Sequence, residues 1–479
     1  MEQIYNPYLP LTEYVPDGEP HVFGDRLYLY GSHDRTAGTA FCQEDYVVWS
    51  APLDNLRDWR CEGTSYRKTQ DPSGADGKHM LFAPDCAKGP DGKYYLYYAL
   101  EGVQEIGVAV SDKPEGPFEF YGHVLFPENE KGEDAKKAEE QDSSSQPSTP
   151  DGWIEAMGEK LNLFDPGVFV ENGRVFLYFG FCRSFMVELK ADMLTAISEP
   201  QLLIPNRKQA KGTPFEGHGF FEASSMRKIG EIYYFIYSSE KSHELCYATG
   251  SSPMGPFSYG GTLVSNGDLG LEGRTRPVSQ IGNTHGSIEK VGDKVYVFYH
   301  RQTNGTEFSR QGCAEEIQIL PDGSIPQVAI TSCGLNGGGL IASGSYPAAI
   351  ACHISDRTMP DKIDYRDPAV KERVHVTQEQ NQVFITGIKN RTKLGYKYFC
   401  FLDADLMAVE LRGSFFGTLS ISLDENGRQE IGEYEVQVNN SEWEMELVPI
   451  APTPGTHPLY LYFRGTGELD LKTLAFFSA

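Results

Sequence analysis

Five times along the chain, a glycine-containing turn leads into a run dominated by aromatic and β-branched residues. The runs are GDRLYLYGSH from Gly24, DGKYYLYYAL from Asp91, NGRVFLYFGF from Asn172, GEIYYFIYSS from Gly230 and GDKVYVFYHR from Gly292. This is the chemistry of a strand entered from a turn. The turn glycines stand at 24, 92, 173, 230 and 292, at intervals of 68, 81, 57 and 62 residues. A four-stranded propeller blade takes about 40–50 residues, so each interval holds one blade with generous loops. The pattern predicts an all-β chain whose larger part is a five-bladed β-propeller. A second phrase supports the period: Gly116-Pro117-Phe118 and Gly255-Pro256-Phe257 each follow a short strand.

The same period aligns polar residues. Seven or eight positions before each turn glycine stand Asp17, Asp85, Asp165, Glu222 and His285. The first strand of a blade starts near the propeller axis, so these positions are expected to converge in one pocket. Carboxylates crowded together push their pKa values apart. Two opposed carboxyl groups can hydrolyse a glycosidic bond, one protonating the leaving oxygen while the other activates water. In inverting enzymes about 6.5–9.5 Å separates them. Positions across a five-bladed axis suit that gap, which selects Asp17 and Glu222, from blades one and four. Asp165 would then raise the acid's pKa by like-charge repulsion.

At 479 residues the chain is too long for one core. From about residue 353 the pattern changes to short alternating strands, beginning with QVFITGI and ending with LDLKTLAFF. Such a series suits a jelly-roll or other β-sandwich. The expected plan is a propeller over residues 1–335, a linker over 336–352 and a sandwich over 353–479. The charged, Ser/Pro-rich stretch 128–152 reads as a flexible insertion in the propeller. A net charge of -25 argues against nucleic acid as a partner. No apolar run reaches the length of a membrane span. The nine cysteines are scattered without a CxxC pair, so neither a disulfide framework nor a zinc site is expected. The first ten residues lack the pattern of a secretion signal. A cytoplasmic place, with a substrate small enough to import, is the expectation. No organic cofactor is expected.

Several segments resemble glycoside hydrolase family 43, in the family's order and over about residues 5–325. They are NPYLPLTEYVPDGEPHVFGDRLYLYGSHD, FAPDCAKGPDGKYYLYY, FDPGVFVENGRVFLYFG, FFEASSMRKIGEIYYFIYSS and NTHGSIEKVGDKVYVFYHR. The resemblance implies a single-displacement, inverting hydrolase acting mostly on α-L-arabinofuranosyl or β-D-xylosyl linkages in oligosaccharides. By motif, it makes Asp17 the general base, Glu222 of Phe-Glu-Ala the general acid, and Asp165 of Phe-Asp-Pro the carboxylate that orients and tunes that acid. His285 of Thr-His-Gly matches an axial histidine that lies beside a calcium ion in many members. An exo-acting α-L-arabinofuranosidase is the first expectation and a β-D-xylosidase the alternative. An endo-arabinanase and a non-catalytic glycan-binding propeller rank behind them.

Two departures from the family stand out. The usual Asp-Pro at the base is Asp17-Gly18-Glu19-Pro20 here, which makes Glu19 a rival base, although the seven-residue spacing to Gly24 favours Asp17. Phe82 replaces the usual Trp before Ala-Pro-Asp. Further candidates for substrate contact are His33, Asp34, Phe82, Asp85, Phe221 and Arg310, the last binding either sugar or a carboxylate of the ring. Trp49 and Trp59 read as core. From Gly395 to Phe477, GYKYF, the Trp443 strand and GTHPLYLYFRGTGELDLKTLAFF resemble carbohydrate-binding module family 6. That implies a sandwich that binds glycan or a structural calcium, with a packing domain as the alternative.

Overall fold

The computed structural model describes residues 3–126, 162–356 and 373–478, and its regular structure is strand with a few short 3₁₀ turns. The expected insertion at 128–152 lies outside the described residues. Blade one comprises β1 (Glu19–Phe23), β2 (Arg26–Tyr30), β3 (Tyr46–Pro52) and β4 (Arg60–Tyr66). Blade two comprises β5 (Leu81–Lys88), β6 (Tyr94–Leu100), β7 (Ile106–Ser111) and β8 (Glu119–His123). Blade three comprises β9 (Gly167–Glu171), β10 (Arg174–Phe179), β11 (Phe185–Leu189) and β12 (Gln201–Leu202). Blade four comprises β13 (Phe220–Ile229), β14 (Ile232–Ser239), β15 (Glu244–Gly250) and β16 (Ser258–Ser265). Blade five comprises β17 (Ile288–Val291), β18 (Lys294–Gln302) and β19 (Arg310–Ile317). Each blade is an antiparallel meander, and the inner strands β1, β5, β9, β13 and β17 touch one another in a closed ring.

The five predicted turn glycines all join a first strand to a second, with φ between 62° and 88°. A side chain would be strained there, which is why glycine recurs. The strands that follow are apolar on both faces because each face meets a different neighbour. In β14, Tyr234 and Ile236 pack with Val297 and Tyr299 of blade five. The intervening Tyr233, Phe235 and Tyr237 pack with Phe176 and Tyr178 of blade three. Three further cores fill the other interfaces between blades. Trp49 and Trp59 belong to the core between blades five and one, as expected. The N-terminal segment closes the ring beside β19. Tyr8 N–H donates to Gly312 O at 3.2 Å, and the Asn6 side chain both donates to Ala314 O and accepts from Ala314 N–H.

The C-terminal part has its own core and one nine-stranded sheet folded over it. Its strands are β20 (Leu340–Ile341), β21 (Gly344–Pro347), β22 (His353–Ser355), β23 (His375–Glu379), β24 (Gln382–Ile388), β25 (Thr392–Phe401), β26 (Leu406–Ser422), β27 (Glu430–Pro449) and β28 (Gly455–Phe477). Along one side β28 pairs with β26, and along the other it meets β25, β24 and β21 in turn. This sharing of one long strand produces the sandwich-like fold. The expected linker is corrected. Residues 336–352 supply β20 and β21, and Leu340, Ala342, Tyr346 and Ile350 are buried in the C-terminal core. Gly337, Gly338 and Gly339 lead into β20 and Gly344 opens β21, and the apolar residues among them are core.

Candidate active site

The axial residues are set by unusual backbone at the entrance to inner strands. Asp17 (φ 58°) and Asp165 (φ 45°) each stand two residues before an inner strand, β1 and β9, and Glu222 in β13 is followed by Ala223 (φ 68°). Left-handed conformations are uncommon outside glycine and concentrate at functional sites. Neighbouring blades nearly touch here: a Cβ on Gly167 would lie 2.2 Å from Ser224 O. That closeness lets Asp165 Oδ2 accept the Ala223 N–H at 3.1 Å.

Asp17 is held from one side by charge. Its Oδ1 accepts from Arg310 Nη1 at 2.9 Å, and its N–H donates to His300 Nδ1 at 3.2 Å. His300 Nε2 donates to Asn283 O at 2.9 Å, so Nδ1 carries the lone pair and the ring is neutral. Burial alone would raise the Asp17 pKa, but the Arg310 guanidinium, helped by His285, outweighs it and holds the carboxyl well below the usual range. Glu222 has the opposite environment. Burial, then the negative charges of Asp165 and Asp17, push its pKa up to about 8 against the pull of His285 and Arg310. The His285 imidazole lies between two carboxylates, with Nδ1 3.5 Å from Asp165 Oδ2 and Nε2 3.8 Å from Glu19 Oε1. Burial lowers its pKa, but Asp165, Asp17 and Glu19 prevail and raise it to about 9. At neutral pH the site therefore holds an ionised Asp17, a protonated Glu222 and a cationic His285.

The five aligned positions do not form one pocket. Asp17, Asp165, Glu222 and His285 come together, whereas Asp85 belongs to a second cluster further along the axis. It is fully buried, with Oδ1 2.6 Å from His21 Nε2 and Oδ2 accepting the Val168 N–H at 2.7 Å, so neither oxygen is left for substrate. Glu19 joins this second cluster: it is 1% exposed and its Oε2 accepts from Arg227 and Ser225 at 2.8 and 3.0 Å. That position disfavours Glu19 as a base. Asp34 is a buried partner of Arg310 rather than a sugar contact, and Arg310 binds Asp17, a carboxylate of the ring, which is one of its two expected partners. The Arg310 Nε and Nη2 donate to Asp34 at 2.8 and 3.0 Å while Nη1 holds Asp17. His33 sits on the rim, its Nδ1 2.9 Å from Asp45 O.

Phe82 and Phe221 are half-buried and belong to an aromatic arc that runs around blades two to four. Phe82 meets Phe164 at 5.4 Å, Phe164 meets Phe181 at 5.6 Å, and Phe181 meets Phe221 at 4.9 Å between ring centroids. One flank of the site is thus apolar beside Glu222, and the other is charged around Asp17. Sequence reasoning found the two ends of this arc and missed Phe164 and Phe181. It also missed His300, Arg227 and Phe41, whose ring covers the Arg310 guanidinium at 4.8 Å. Phe164 adjoins Asp165 in the chain, which is the one signal that pointed to it.

Comparison with known proteins agrees with this architecture. The model of the glycosyl hydrolases family 43 matches residues 6–146 and 146–325. A xylosidase/arabinosidase from Thermoclostridium stercorarium is 42% identical over 489 residues, covering 98% of both chains. Xylosidase/arabinosidase 43A from Humicola insolens is 32% identical over 65% of this chain and 96% of its own. Among solved structures, a family 43 arabinoxylan arabinofuranohydrolase from Bacillus subtilis, in complex with cellotetraose, shares the fold over 99% of this chain and 97% of its own. Its TM-score is 0.52 at 20% identity. The RS223 β-xylosidase structure covers 66% of this chain and 96% of its own, with a TM-score of 0.50 and 27% identity.

Proposed function

The chain belongs to glycosyl hydrolases family 43, and we propose that it is an inverting exo-enzyme removing terminal pentosyl residues from plant-derived oligosaccharides. Its first activity in this reading is α-L-arabinofuranosidase, with β-D-xylosidase as the alternative. The observation that carries the reading is the opposite protonation of two axial carboxyls. Asp17 stays ionised beside Arg310, and Glu222 stays protonated beside Asp165. Environments that push paired carboxyls apart assign the acid and the base. Asp17 takes a proton from the attacking water, and Glu222 gives its proton to the departing glycosidic oxygen. Asp165 accepts no proton in this scheme. Its charge keeps Glu222 protonated, and its bond to the Ala223 N–H fixes the backbone next to the acid.

The pentosyl preference rests on the relative from Thermoclostridium stercorarium, which is similar along its whole length and named for both sugars. Nine free cysteines support a reducing compartment, in keeping with a cytoplasmic enzyme fed by imported oligosaccharides. We assign the C-terminal sheet a packing role. The Trp443 ring carries Arg412 at 4.5 Å and Lys472 at 4.7 Å, which leaves it poorly placed as a sugar platform. The same part is tied to the propeller by Arg274–Glu425 and Lys397–Asp268 ion pairs.

The test is release of p-nitrophenol from a panel of p-nitrophenyl pentosides and hexosides, by wild type and Asp17→Asn in parallel. Turnover of the α-L-arabinofuranoside or β-D-xyloside that disappears in the variant is the expected result. Turnover confined to hexosides, or undiminished in Asp17→Asn, would overturn the reading.

A further inference from the structure

Beyond His285 the axis carries a second charged cluster that the proposed reaction does not use. Its centre is Arg227, on β13 and only 8% exposed. Arg227 Nη2 donates to Glu19 Oε2 and to Pro20 O, both at 2.8 Å, and lies 3.4 Å from His21 Nε2. Its Nη1 donates to Met226 O at 2.8 Å, and its Nε is 3.4 Å from Glu289 Oε2 on β17. His21 in turn meets Asp85 on β5, and Asp85 accepts the Val168 N–H on β9. One guanidinium from blade four thus reaches blades one and five directly, and blades two and three through His21 and Asp85.

The family resemblance sets a calcium ion beside the axial histidine; Glu19, His21 and Asp85 bring one ligand atom each within 4.8 Å of one another, but with the Arg227 guanidinium among them they do not make the oxygen cage that calcium takes. Calcium takes six to eight oxygen ligands at about 2.3–2.6 Å. In the second cluster, Glu19 Oε2 accepts from Arg227 and Ser225, and both Asp85 oxygens are hydrogen-bonded. Glu19 Oε1 is the one oxygen of these two carboxylates without a hydrogen bond, and it faces His285. A dication bound to Glu19 would also lie against the Arg227 guanidinium, at a distance where like charges repel strongly in a dry interior.

We infer that the Arg227 guanidinium is the resident cation of the propeller axis, in the place of a metal ion. Side chains then follow one another along the axis as Arg227, Glu19, His285 and Asp165. Arg227 is a positioning residue in this scheme: it holds Glu19, which holds His285 against Asp165.

The full-length protein tests this directly. Wild type dialysed against EDTA and then exposed to calcium chloride is expected to retain no stoichiometric calcium by elemental analysis. Its unfolding midpoint should be the same in EDTA as in calcium. One calcium per chain surviving gel filtration, or a lower midpoint in EDTA, would overturn the inference. Arg227→Ala frees Glu19, His21 and Asp85 around an empty space. It should unfold at lower temperature and gain a calcium- or manganese-dependent rise in midpoint that wild type lacks. Arg227→Lys, which keeps the charge, should stay indifferent to metal and melt above Arg227→Ala. An Arg227→Ala protein as stable as wild type and equally indifferent to metal would show that the axis needs no cation there.

Discussion

Asp165 and His285 face each other across the propeller axis, carboxylate Oδ2 to imidazole Nδ1, at 3.5 Å. The contact joins blades three and five and makes the histidine a cation, with its pKa raised to about 9. Glu222 lies within the field of both groups. Burial raises the acid's pKa most, Asp165 raises it further, and His285 lowers it. The proton that the acid needs is therefore kept by burial and Asp165 together against His285.

Replacing Asp165 by Asn removes the negative side of that balance. Glu222 should then ionise at lower pH, and the basic limb of kcat/KM should move down by a unit or more. Each unit corresponds to about a tenfold loss of the protonated form at a pH above the limb. His285 loses its nearer carboxylate in the same variant, and its own pKa should fall. A pH–rate profile of Asp165→Asn with an unmoved basic limb would remove Asp165 from the tuning role.

In wild type the basic limb should fall near pH 8, because activity requires protonated Glu222 and is lost as pH rises through its pKa. Glu222→Gln should abolish that limb and lower kcat by roughly 10²–10⁴-fold for xylo- or arabino-oligosaccharides. Aryl glycosides with good leaving groups need little protonation and should lose far less. Parallel assays on both substrate types check this, and equal losses would count against Glu222 as the acid.

The acidic side depends on Arg310. Its guanidinium holds Asp17 and Asp34 together, and all three are almost fully buried. Arg310→Met should raise the Asp17 pKa, move the acidic limb of kcat/KM upward and weaken the enzyme most at low pH. It also takes the guanidinium from Asp34, which keeps the Cys42 and Arg310 N–H groups, and breaking a buried ion pair typically costs about 3–5 kcal/mol. Denaturant unfolding should show that loss. The double variant Arg310→Met/Asp34→Asn should recover part of the stability without restoring the acidic limb.

How much of this was legible in the sequence follows from what repeats. The hairpin turn recurs in every blade, so counting back from Gly24, Gly173, Gly230 and Gly292 found Asp17, Asp165, Glu222 and His285. Asp85 shares the spacing yet sits in another layer. It is the fifth residue of β5, paired opposite Tyr97, whereas Asp17 and Asp165 precede their strands. Spacing fixes position along the strand but not where that strand begins relative to the axis. Arg227 and His300 escaped because nothing sets either apart from the charged residue beside it, Lys228 or Arg301, and the carboxylates they meet, Glu19 and Asp17, come from blade one. The aromatic arc was half visible for the same reason: its inner members stand in loops brought together only by the ring. The boundary at 336–352 was misread because the glycines of a turn and those of a linker look alike until the buried residues between them have a partner sheet.

The seam that closes the ring should carry its own pH dependence. Glu315 on β19 is buried, and it accepts from Asn6 Nδ2, Tyr299 O–H, the Thr331 N–H and the Thr331 hydroxyl. These bonds lower its pKa, but burial is the larger effect and raises it to about 7. In the unfolded chain a glutamate titrates near 4.3. Between those two values the folded state binds more protons than the unfolded one, so stability falls as pH rises through that window and levels off above it. Replacing Glu315 by Gln removes the ionisation, and its amide can donate to the Thr331 hydroxyl where a carboxylate accepted. The variant should lose this part of the slope of unfolding midpoint against pH between about 4.5 and 7, and should match or exceed wild type at pH 8. Thermal melts across that range decide it. A slope unchanged from wild type would mean that Glu315 stays ionised in the folded protein, held by the four donors at the seam.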